Sequence, residues 1–196
     1  MRLPVFFRAA ALALVGFLHR VAAGEIAIEF FDEHSLQLAA QEDIVACWAA
    51  SMSAALKSKG VNLPQSSIKM AVNGSPQAST LKDPVQLSRF LDRLPYKEGK
   101  LKTATVTPPA QWITWPNFKK EIEAGNPFVV GYWTGPQQAH LVVIYGAVTN
   151  DNDAPIAYKI WDPAPGVGLR TAPLVTFNKS AWFYLILRDA ELKERE

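Results

Sequence analysis

The sequence predicts an α+β protein, helices first and a mostly antiparallel sheet after them. Between Cys47 and Ala124, outside the Thr-rich stretch Lys100 to Pro109, the apolar residues recur at three- and four-residue spacing, between stops made of glycine, asparagine and proline. From Pro127 the period shortens to two, in four runs rich in β-branched and aromatic residues. The 196 residues are 49% apolar and 11% aromatic with no low-complexity run, which suits a single packed core and speaks against a disordered interaction protein.

Residues 1–23 stand apart. Arg2 and Arg8 flank the approach to a ten-residue apolar run, Ala9 to Leu18, and Val21-Ala22-Ala23 before Gly24 offers the small residues of a cleavage site. This reads as a secretory signal peptide, leaving 24–196 as one domain in a secreted or periplasmic protein. A membrane-spanning helix needs roughly 20 apolar residues, so an uncleaved anchor is the weaker reading and no stable span is expected after signal removal. Three of the 20 lysines and arginines lie in this segment, which has no acid, so 17 face 18 acids in the remainder, a formal net charge of −1. No basic block is left, and nucleic acid is excluded as a partner on charge.

The elements follow in order. Ile26, Ile28 and Phe30 alternate like a strand in the entry segment Gly24 to Leu38. A helix starts at Cys47, carries Trp48, Ala49, Met52, Ala55 and Leu56 on its apolar side, and ends in the basic turn Lys57-Ser58-Lys59 before Gly60. Ser66 to Val72, closed by Asn73-Gly74, is a second helix. Asp83-Pro84 supplies an N-cap and a first-turn proline for a third, whose apolar positions run to Leu94 before Pro95. Lys100 to Pro109 is Thr-rich and strand-like, and Trp115 to Ala124 is a helix stopped by Gly125-Asn126. Pro127 to Trp133, Ala139 to Val148, Ile156 to Trp161 and Ala181 to Leu187 are the strands, with Asn150-Asp151-Asn152-Asp153 as a solvated hairpin loop rather than a calcium loop, since no spaced glutamate follows.

Cys47 is the only cysteine. It cannot close a disulfide within the chain, and an unpaired cysteine in an exported protein is a candidate reactive thiol. A helix start favours the thiolate, while a lone cysteine among alanines is also what a small packing residue looks like. A nucleophile requires a base, and the base an orienting acceptor. His19 lies in the signal and His34 in the polar entry segment, so the candidate base is His140, at the mouth of the most apolar strand. The next strand ends in Trp161-Asp162-Pro163, where antiparallel pairing could set Asp162 beside His140; Asn150, Asp151 and Asp153 compete as acceptors, and Asp-Pro is also an ordinary turn starter. Trp161 either shields that bond from water or packs in the core. Gln41, six residues before Cys47, could donate its amide to an oxyanion together with the Cys47 N–H.

Gln41, Cys47-Trp48, His140 and Asp162 resemble, in type and order, the functional residues of papain-like cysteine peptidases, and the glutamine-to-cysteine spacing matches too. The bacterial C39-like branch, with the related AvrRpt2-type (C70) peptidases, is the nearer similarity, carried by Cys47-Trp48-Ala49-Ala50, Gly125-Asn126-Pro127, His140-Leu141-Val142-Val143 and Trp161-Asp162-Pro163 over about residues 36 to 188. The resemblance implies a papain-like fold, with a helical N-terminal half whose central helix begins at the nucleophile and a mostly antiparallel β half. It implies a triad of Cys47, His140 and Asp162 with Gln41 in the oxyanion hole, a protein or peptide substrate, and no metal or organic cofactor.

The chain departs from the papain pattern in lacking the first cysteine of the Cys-Gly-Ser-Cys-Trp lead. It also has His140 and Asp162 only 93 and 115 residues after Cys47, which implies a trimmed core. With about 17 residues between the expected cleavage site and Gln41, no large inhibitory propeptide is expected, so a proteinaceous inhibitor is a further partner to consider. Two alternatives stay open: a peptidoglycan amidase or transferase using the same triad on a peptidoglycan peptide, and a non-catalytic peptide-binding module whose groove is lined by Trp112, Trp115, Trp133 and Trp182.

Overall fold

The computed structural model describes residues 24–28, 31, 38–94, 113–188 and the backbone of 102–106. The expected signal segment, His19, His34 and Trp112 lie outside the described residues. The order is β1 (Glu25–Ala27), α1 (Cys47–Lys57), α2 (Gln65–Asn73), α3 (Val85–Leu91), β2 (Lys102–Val106), α4 (Trp115–Glu123), β3 (Phe128–Gly135), β4 (Gln138–Thr149), β5 (Pro155–Asp162), β6 (Gly168–Pro173), α5 (Leu174–Ser180) and β7 (Ala181–Arg188). It is an α+β fold, and the strands form one sheet in the order β2-β7-β3-β4-β5-β6, with every pair antiparallel.

β4 is the spine. Its first half pairs with β3, from Gln138 to Ile144, and its second half takes β1 on that same side, from Gly146 to Val148. The entry strand therefore completes a ladder that the shorter β3 leaves open. Gly146 is required there, because a Cβ would stand 2.3 Å from the Ile26 carbonyl oxygen. Phe128 to Tyr132 and Leu141 to Tyr145 are continuously buried, as strands covered on both faces must be.

Helix α1 is almost wholly internal, with Trp48 1%, Met52 0% and Leu56 0% exposed. The alanines between them let it lie close to β4, and buried Ser51 donates its hydroxyl to the Leu141 carbonyl at 2.9 Å. α2 ends as its Asn-Gly signal predicts, with Gly74 left-handed at φ 73°. α3 is shorter than its apolar spacing suggested. It stops at Leu91, and the chain leaves through three-residue turns, Arg93 N–H to Phe90 O and Leu94 N–H to Leu91 O. β6 and α5 were not anticipated: α5 has one fully buried anchor, Phe177, and β6 only Ala172, too little for a periodic signal. No helix among the described residues is long and apolar enough to cross a membrane.

Candidate active site

Cys47 is the first residue of α1 and is 8% exposed. Its helix begins without a side-chain cap, so the first N–H groups are left to whatever lies in front of them, and the partial positive charge of the helix start falls on the thiol. Ser51, one turn on, ties α1 to the backbone of the residue after His140. The sulfur and the imidazole are thus held by one helix-to-strand bond. The His140 ring hydrogen-bonds Asp162, and the Cys47 side chain is among the groups that act on its charge.

Strand register explains the second contact. Trp161 pairs with Val143, so continuing the ladder by one sets Asp162 opposite Val142, which shares a face with His140. The two side chains are diagonal neighbours, within reach of an imidazole, and His140 Nε2 is 2.7 Å from Asp162 Oδ1. With Nε2 so engaged, Nδ1 is the nitrogen left for the thiol. Trp161 is 4% exposed and belongs to the buried core on the opposite face, so it takes the packing role of the two that its sequence allowed. Asn150, Asp151 and Asp153 occupy the β4–β5 turn, ten or more residues from His140 and, at ~3.3 Å per residue, roughly 30 Å along the strand. There Asn150 Oδ1 accepts the Asn152 and Ala154 N–H groups, and Asp153 pairs with Lys119 at 2.7 Å.

One group at this site carries no sequence motif. Arg170 of β6 is opposite Ile160, on the face that Asp162 shares, and its Nη2 and Nε donate to Asp162 Oδ2 at 2.9 and 3.3 Å. Nη2 also reaches the Tyr132 hydroxyl at 3.5 Å, and Tyr132 stands edge-on to His140 from the neighbouring strand β3. Tyr132, His140, Asp162 and Arg170 thus form a polar row across β3, β4, β5 and β6. The only signal for Arg170 was strand parity between Gly168 and Pro173, in a strand too short to be recognised.

The row is electrostatically self-consistent. Burial alone would lower the His140 pKa, but its interactions with Asp162 and Cys47 outweigh that and raise it from 6.5 to about 9. Burial would raise Asp162, and is outweighed by His140, the Ala164 N–H and Arg170, which bring it from 3.8 to about 2. Desolvation raises Tyr132, which stays a neutral hydroxyl.

Gln41 lies in the loop that enters α1, and its backbone N–H donates to Pro163 O at 2.8 Å, directly after Asp162. Its Nε2 donates to the Asp43 carbonyl at 3.0 Å, and its Oε1 is buried without a partner among the described residues. One Nε2 hydrogen remains for another acceptor. Of the groove tryptophans, Trp115 is packed against the core and stacked on Phe118, while Trp133, 48% exposed, leans on Trp182 at 5.8 Å.

Residues 31–181 match the family Peptidase_C70, described as papain-like cysteine protease AvrRpt2. No curated protein matches the chain significantly. Among solved structures, the peptidase domain of Streptococcus ComA, a bi-functional ABC transporter involved in a quorum-sensing pathway, superposes with a TM-score of 0.53 at 18% identity, covering 78% of this chain and 98% of that one. The Streptococcus mutans ComA peptidase domain gives 0.48 at 16% identity, over 79% and 100%. The first likeness shows a shared papain-like fold.

Proposed function

Because the chain belongs to the papain-like AvrRpt2 cysteine protease family and is thereby a cysteine peptidase, we propose that it cleaves peptide bonds through a Cys47-His140-Asp162 triad with Gln41 in the oxyanion hole. The observation that carries this reading is an imidazole hydrogen-bonded to Asp162 at 2.7 Å, with the cysteine at the start of α1 acting on the same ring.

Cys47 Sγ attacks the scissile carbonyl as thiolate, forming the C–S bond, while the carbonyl oxygen takes up negative charge. The free Nε2 hydrogen of Gln41 and the Cys47 N–H, at the uncapped helix start, stabilise that oxyanion. His140, protonated across the neutral range, gives its proton to the amine nitrogen as the C–N bond breaks. It then takes a proton from the water that attacks the thioester, the C–S bond breaks, and thiolate and imidazolium are restored. Asp162 keeps the ring oriented and its charge compensated throughout.

Export follows from the composition of residues 1–23, and the proposed location is secreted or periplasmic. N-terminal sequencing of protein recovered outside the cytoplasm is expected to start at Gly24; a retained Met1 contradicts it. For the activity, a labelled protein such as casein and purified peptidoglycan are digested side by side with wild type and Cys47→Ala. Cleavage of the protein by wild type alone supports the peptidase reading. Release of wall peptides only favours the amidase, and cleavage of neither favours the binding module.

A further inference from the structure

We propose that Gln65 and Lys69 of α2 are positioning residues that hold the oxyanion loop, residues 39–43, in register with the start of α1. The proposal rests on the reading of Gln41 as oxyanion donor.

Two polar side chains on a short helix are buried here, Gln65 at 3% and Lys69 at 4% exposure. They stand four residues apart, one above the other on the same face, and the bonds of both go to the loop. Gln65 Oε1 accepts the Glu42 N–H at 3.1 Å, and Gln65 Nε2 donates to Ala40 O at 2.8 Å. Lys69 Nζ donates to Glu42 Oε2 and to Asp43 Oδ2, each at 3.1 Å. Burial by itself would lower the lysine's pKa, but the bonds to Asp43 and Glu42 prevail and keep it above its ordinary range, hence charged.

Asp43 passes this anchoring to the site. Its backbone oxygen accepts Gln41 Nε2 at 3.0 Å and the Ala46 N–H at 3.1 Å, and its Oδ1 accepts the Val45 N–H at 3.1 Å. One residue thus links the lysine, through its carboxylate, to the Gln41 amide and the residue before Cys47, through its backbone oxygen. Apolar burial does not fix this loop: Ala39, Ala40 and Glu42 are exposed and Ile44 is 91% exposed. What fixes it is the polar grip of α2 together with the Gln41 N–H bond to Pro163 O. An oxyanion donor must be held to a fraction of an ångström, so a loosened loop costs transition-state stabilisation while sparing the thiol.

The test is a double-mutant cycle on Gln41→Ala, Lys69→Met and the double variant, reading kcat and KM on a coumarin-releasing peptide amide, together with the alkylation rate of Cys47. Lys69→Met is expected to lower kcat at least tenfold with KM and alkylation within about twofold of wild type, Lys69→Arg to recover part of it, and the double variant to be no slower than Gln41→Ala alone. Wild-type kcat for Lys69→Met, or a loss that multiplies with that of Gln41→Ala, overturns the proposal. A Gln41→Ala protein with wild-type kcat overturns the oxyanion assignment itself, and the proposal with it. Should Lys69→Met fail to fold, Gln65→Met, which leaves the ion pairs in place, is read by the same criteria.

Discussion

His140 Nε2 lies 2.7 Å from Asp162 Oδ1, across one diagonal of the β4–β5 ladder, and the other oxygen of that carboxylate is held by Arg170 from β6. The contact is a product of strand register, so it is as rigid as the sheet. Asp162→Asn keeps the shape and removes the charge. Its alkaline limb of kcat/KM is expected to move from near 9 toward 6.5, with kcat down by about 10²-fold. A full pH–rate profile checks both.

Arg170→Met removes two donors from Asp162 and the contact with Tyr132. The groups facing the carboxylate are then His140 and Tyr132, with Cys47 beyond the imidazole, and none replaces the lost cation. The expected result is a kcat lowered about tenfold, equal to ~1.4 kcal/mol of lost orientation, with an acid limb shifted upward. Arg170→Lys should restore only part, because an ammonium lacks the guanidinium fork. Steady-state kinetics from pH 3 to 7 measure it.

The same pair links stability to pH. His140, raised from 6.5 to about 9, contributes stability that is complete below 6.5 and is lost as pH rises through 9. Asp162, lowered from 3.8 to about 2, contributes stability that is present above 3.8 and is lost as pH falls through 2. The pair's full contribution therefore spans pH 3.8 to 6.5. In urea unfolding, the gap between wild type and Asp162→Asn is expected to be wider at pH 5 than at pH 10; an unchanged gap contradicts the linkage.

Trp48, 1% exposed, fills the space behind the thiol and donates its indole N–H to Ser79 O at 2.9 Å. Trp48→Ala should cost about 3–5 kcal/mol, or roughly 10 °C in Tm for a chain of this size, by circular-dichroism melting.

The long elements were legible because their apolar period is unambiguous: α1, α4, β3, β4 and β7 lie within a residue or two of where the spacing of Trp48 to Leu56 and Leu141 to Val148 puts them. β6 and α5 were not, since each buries a single full anchor. At the site, Cys47, His140 and Asp162 carry motifs readable in one dimension. Arg170, Gln65 and Lys69 do not, because their partners are 8, 23 and 26 or 27 residues away and are chosen by strand parity and helix face. Gln41 could be placed by spacing, but its bond to Asp43 could not.

The most direct test of the central claim is covalent. Folded, reduced protein is incubated with a thiol-directed epoxide, and the adduct is mapped by mass spectrometry against a denatured control that reports total free thiol. Rapid, stoichiometric alkylation of Cys47, slowed strongly in His140→Ala, is the predicted result. A folded protein whose Cys47 stays unmodified, while the denatured control shows a full thiol, would contradict the nucleophile assignment.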